Sequence, residues 1–126
     1  MTIFAWAVFV TCATAVLGFQ IAVALGAPLG HLTQGGKHPG VLPRQGRLIA
    51  AVSAIIVSVF ITAVSMKAYN LSSPSSFATI GTWVAVVYSV LAVPIHIITP
   101  SAAERRLWLP VIVVLLVSAL TVAVSP

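Results

Sequence analysis

Four stretches of this chain, residues 3–25, 48–66, 77–98 and 107–124, stay apolar over their central parts without a single acid or base. A bilayer's hydrocarbon core of ~30 Å takes ~20 apolar residues at ~1.5 Å of helical rise each. One core in water cannot hide so much apolar chain, because 60% of the residues are hydrophobic and 6% charged, against about 25% charged in a soluble domain. A transmembrane β-barrel would show ~10-residue segments of alternating polarity instead. The same composition excludes a disordered chain, and the lone Cys12 excludes a disulfide scaffold. The expectation is an all-α, integral membrane four-helix bundle. It forms one domain over residues 1–126, and residues 26–47 make a Gly/Pro-rich cytoplasmic loop.

Orientation follows from the cations. Lys37, Arg44 and Arg47 lie between the first two spans and Arg105 and Arg106 between the last two, while the opposite side has Lys67 and the amino terminus. Short loops rich in Lys and Arg stay in the cytoplasm, so both termini are expected to be non-cytoplasmic. Ala22-Val23-Ala24 has the small residues of a signal-peptide cleavage site, but no basic residue precedes it. The apolar stretch also exceeds the ~7–15 residues of such a segment, so the first span is expected to be retained. The net charge of +5 does not mark a nucleic-acid binder, since the cations form no basic helix face with interleaved aromatics. Anionic lipid headgroups at the cytoplasmic side account for them, at ~1 kcal/mol each.

Punctuation and packing can also be read. Pro43 stands before span 2 and Ser73-Pro74 before span 3, positions where a missing N–H costs little. Ser101 and Glu104 have the spacing of a capping box. Pro110 should kink the helix near Arg106, leaving residues 104–108 as a short interfacial turn. Small residues recur at steps of three and four, which places them on one helix face. They are Ala7, Thr11, Ala15, Gly18, Ala22 and Gly26 on span 1; Ala50, Ala54, Ser58 and Thr62 on span 2; and Ala78, Thr82, Ala85, Ser89 and Ala92 on span 3. Helix packing is therefore assigned to Gly18, Ala22, Ala54, Ser58, Thr62, Ala85 and Ser89, with spans 1–3 as the tight core. Span 4 is expected at the periphery or against another subunit. Trp6, Tyr69, Trp83 and Trp108 fall near span ends, where amphipathic rings anchor at headgroup depth.

Chemistry is concentrated in residues 26–47, which hold six glycines and three prolines. So long a connection is functional or disordered more often than not. Gly35-Gly36-Lys37 lacks the spacing of a phosphate loop. His96 follows Pro94, whose missing N–H frees the carbonyl of Val90. The candidate ligand-binding residues are His31, Gln34, Lys37, His38, His96, Arg105 and Arg106. Three histidines and Glu104 fit no short metal motif, so no metal and no cofactor is expected. With one acid in the chain, paired-carboxylate catalysis is impossible, and no catalytic residue is assigned. Proton relays built on charges within the spans are also lacking.

Two resemblances to known proteins remain. Ser75-Ser76-Phe77-Ala78-Thr79-Ile80 resembles the Thr/Ser-Phe track of fluoride channels, but Ile80 replaces the second phenylalanine. Gly26-Ala27-Pro28-Leu29-Gly30, Gly35-Gly36 and Leu42-Pro43, together with Pro100-Ser101, Glu104-Arg105-Arg106-Leu107-Trp108 and Pro110, resemble a group of small four-span bacterial membrane proteins. That resemblance implies a bacterial inner-membrane location and no activity, cofactor or site.

Three readings of function follow. The first is an accessory subunit or homo-oligomer acting through helix–helix association, partnered by membrane lipids and a second copy or a larger membrane complex. The second is a small transporter, channel or ligand-binding protein with its site at residues 26–47 and the Pro94–His96 break. The third is an enzyme on a lipid or other hydrophobic substrate, holding an anionic group with a histidine or with Arg105 and Arg106.

Overall fold

The computed structural model describes residues 1–70 and 76–126. It contains helices α1 (Thr2–Ala24), α2 (Arg44–Tyr69), α3 (Ser76–Ile98) and α4 (Ala102–Ala123), with two 3-10 turns, Gly30–Leu32 and Gln34–Gly36, between α1 and α2. All four helices are long and apolar enough to cross a membrane, as the apolar stretches require. The Ser73-Pro74 start and Ser75 lie outside the described residues.

Two helices begin about a turn earlier than hydropathy alone suggests. Pro43 supplies the extended backbone before α2, so Arg44 and Arg47 belong to its first turn. α4 starts after Ser101, whose hydroxyl accepts the Glu104 N–H at 3.2 Å. It then runs unbroken through Pro110. Residues 104–108 are thus the opening turns of α4 and not a separate interfacial turn. In lipid a released backbone group finds no water, which favours continuing the helix over ending it. α2 stops where Asn70 turns left-handed at φ 49°.

The helices form a ring in which α1 and α3 each lie beside both α2 and α4. Ala5, Phe9 and Ala13 of α1 meet Phe60 and Val64, Ala85 and Val86, and Ala119 and Val122 in the main core. A second cluster of Val23, Leu42 and Ala50 sits at the loop end. α4 is therefore not peripheral. Ser118, Ala119, Val122 and Ala123 form a small buried face of its own, which the Val- and Leu-rich appearance of the span conceals.

The small-residue ladders divide. On α3, Ala78, Thr82, Ala85 and Ser89 are all buried, and a Cβ on Gly81 would lie 2.6 Å from that of Ala63. On α1 the buried side is Ala5, Phe9, Ala13 and Val23. Gly18 is exposed with no atom within 4 Å of where a Cβ would stand, and Ala22 is half-buried. On α2 Ala54 is half-buried while Ser58 and Thr62 face outward. The outer surface is otherwise apolar, with Ile55 64%, Leu91 60% and Val117 59% exposed. Such a surface suits hydrocarbon rather than water. Many hydroxyls within the spans bond to a carbonyl one turn back on their own helix, as Thr62 does to Ser58 O and Ser89 to Ala85 O.

Two of the four expected anchor rings are tied inward. The Trp6 indole donates to Ser65 Oγ at 2.8 Å and meets Tyr69 edge-on, 4.9 Å between centroids. Trp108 meets Phe19 in the same way at 4.7 Å. Tyr69 and Trp83 keep the exposure expected of anchors, at 47% and 42%.

Candidate functional site

Residues 26–47 fold back on themselves. Gly30 N donates to Gly40 O at 3.0 Å and His31 N to Pro39 O at 3.2 Å. Gly30 has no room for a side chain, since a Cβ there would overlap the His38 carbonyl oxygen. Gly35 and Gly36 adopt φ of 78° and 70°, which other residues rarely take.

The folded loop is then tied to α4 and α2. Gly35 N donates to Glu104 Oε2 at 2.9 Å, and the Ser101 hydroxyl donates to His31 O at 2.8 Å. The Trp108 indole donates to Leu32 O at 2.7 Å, and the Gln34 amide donates to Gly46 O at 2.9 Å. Two arginines complete this end of the molecule by holding carbonyls at or just past helix C-termini. Arg47 Nε donates to Ala24 O at 3.0 Å and Arg105 Nη1 to Thr99 O at 2.9 Å. Orphan carbonyls there want donors, and the helix dipole favours a cation.

Under the loop, all four helices enclose a cavity of about 130 Å³. Phe9, Phe60, Tyr88 and Trp108 contribute much of its wall, with Gln20, Ser53 and Ser89 as scattered polar groups. Glu104 and His96 line it as well, beside Thr33 of the loop. Glu104 is only 6% exposed. Its N–H completes half of the expected capping box, but its carboxylate does not return to the Ser101 N–H. Oε2 instead accepts the Gly35 N–H and, at 3.1 Å, the Thr99 hydroxyl. Ser101 N turns to Thr99 Oγ1 at 3.4 Å. His96 Nδ1 faces Ala92 O at 2.9 Å, while its Nε2 stands 3.8 Å from Glu104 Oε1.

Of the candidate binding residues, His96 alone lines this cavity. Gln34 is half-buried and spent on the loop, and Arg105 is half-buried and spent on Thr99. His31, Lys37, His38 and Arg106 are exposed and do not line the cavity. No three of His, Cys, Asp and Glu come together as a metal set among the described residues. Sequence reasoning placed Glu104 as a cap and missed its carboxylate as a cavity group. The available signal was that a chain with one acid buries it. Chemically, the arrangement offers an apolar chamber closed at one end by a carboxylate and an imidazole. Comparison of the chain with models of protein families, with curated proteins and with solved structures finds no match.

Proposed function

We propose that this four-span membrane protein binds, or carries across the membrane, a compact and largely apolar ligand held between its helices. The observation that carries the reading is the cavity itself. It is lined from all four helices and ends on the sole acid of the chain, beneath a loop tied down by hydrogen bonds. Concave, mostly apolar chambers with a few convergent polar groups are the usual form of small-molecule sites. On the resemblance of the 26–47 and 100–110 segments, the membrane is taken to be a bacterial inner membrane.

The test is calorimetry on the protein in lipid nanodiscs with 2-phenylethanol, an aromatic probe with one hydroxyl. Saturable binding is expected, and Ala92→Leu, which fills the cavity wall, should abolish it while leaving the helical circular dichroism intact. Binding that survives Ala92→Leu unchanged would place the probe elsewhere and remove the cavity as the site.

A second reading, association with another copy or a larger membrane complex, draws on a different observation. Gly18 leaves bare backbone on the outer surface and Ser58 and Thr62 present small side chains there, and Ala54, Ser58 and Thr62 line a shallow furrow with Leu17 and Ile21. Small faces let a partner helix approach closely in lipid. Its test is the assembly state of a chain carrying Ala54→Leu and Ser58→Leu.

A further inference from the structure

Resting on the cavity reading, we infer that Glu104 and His96 form a subsite for the protonated amine of an otherwise apolar ligand. His96 Nδ1 lies 2.9 Å from the Ala92 carbonyl, which can only accept, so Nδ1 carries a hydrogen. In a neutral ring Nε2 is then an acceptor. It looks across 3.8 Å at Glu104 Oε1, another acceptor. That gap is too long for a hydrogen bond between the two. The other carboxylate oxygen, Oε2, is already engaged by the Gly35 N–H and the Thr99 hydroxyl.

Two acceptors facing across such a gap call for a donor that bridges them. A nitrogen ~2.8 Å from each atom spans it with two of the three hydrogens of an ammonium group. Charge points the same way. The carboxylate is buried, its ion-pair contact among the described residues is His96, and the Arg105 guanidinium is turned to Thr99 O. With His96 neutral, the buried carboxylate has no cation beside it, which is costly, and a cationic ligand supplies what the pair lacks. A bridging metal fits poorly, because two bonds of ~2.0 Å would have to open to roughly 145° to cover 3.8 Å, well past the tetrahedral angle. An anionic ligand would meet like charge. Beyond the pair, Tyr88, Phe60 and Trp108 offer ring surface to the rest of the ligand.

The experiment compares three probes of one shape by calorimetry on the protein in lipid nanodiscs. They are 2-phenylethylamine, 2-phenylethanol and the trimethylated ammonium of the same amine, which keeps the charge and loses every N–H. The amine is expected to bind at least about tenfold tighter than the alcohol, the scale of a charge-assisted hydrogen bond. Glu104→Gln, whose amide oxygen still accepts from Gly35 and Thr99, should erase that preference, read as the ratio of the amine's affinity to the alcohol's in the same variant. Equal affinities for amine and alcohol in the parent chain would overturn the amine subsite and leave the cavity as an apolar site. A trimethylated probe as tight as the amine would overturn the bridging donor, and needs no folded variant to do so. Failure of all three probes to bind would overturn the cavity reading together with the subsite.

Discussion

Gly30 shows how closely a single residue can be specified in the loop. Its N–H pairs with Gly40 O, and a Cβ would overlap the His38 carbonyl oxygen and stand 2.6 Å from that of Gly40. No rotamer relieves a clash between a Cβ and backbone. Gly30→Ala should therefore cost about 2 kcal/mol or more of stability and loosen the loop above the cavity. Chemical unfolding in detergent reads the first effect, and proteolysis within 26–47 reads the second. A variant as stable and as protease-resistant as the parent would show that the close approach of Gly30 to His38 is not maintained. Glu104 teaches a different lesson at the same scale. Its spacing from Ser101 made the backbone cap legible. Its carboxylate, however, reaches Gly35, and no local spacing encodes a partner so distant in the chain.

At the scale of the helix, the four spans were legible because in a membrane length and hydropathy decide existence, and their bounds shifted by about one turn at most. Facing was harder to read. Steps of three and four put Gly18 with Ala22, Ser58 with Ala54, and Ser89 with Ala85, each on one stripe. That rule says which residues share a face and not which face meets a neighbour. α1 turned Phe9 and Ala13 inward and left Gly18 out, whereas α3 turned its ladder in. The difference is measurable. Ala78→Leu adds volume where 4% of the residue is exposed, away from the cavity wall, and such overpacking typically costs ~1–3 kcal/mol. Ala54→Leu with Ser58→Leu should leave the unfolding of the single chain unchanged, because the furrow has room. If another helix occupies that furrow, the same pair of changes should dissociate the assembly in native mass spectrometry. A double variant that unfolds like Ala78→Leu would mean the furrow is filled within the chain itself.

The molecule as a whole has two unlike ends. One carries both termini, where Lys67 Nζ donates to Ser125 O and Thr2 Oγ1 to Ser125 Oγ. The other carries the folded loop, the α3–α4 connection, and every remaining lysine and arginine. At that end Arg47 and Arg105 already serve the fold by holding Ala24 O and Thr99 O. Those bonds are indifferent to which side of the membrane they face. Orientation rests instead on insertion, where Lys and Arg in short flanking loops resist crossing. Lys37, Arg44 and Arg106 are exposed beside the spans and act in the same sense. The loop end is therefore expected in the cytoplasm and both termini outside it. In a bacterial host, alkaline phosphatase fused after Pro126 should be active and a green fluorescent protein fused there should be dark. A cysteine placed at the exposed Gly40, in a chain carrying Cys12→Ala, should resist a membrane-impermeant maleimide until the cells are opened. The reverse pattern would put the Glu104–His96 end of the cavity on the outer side.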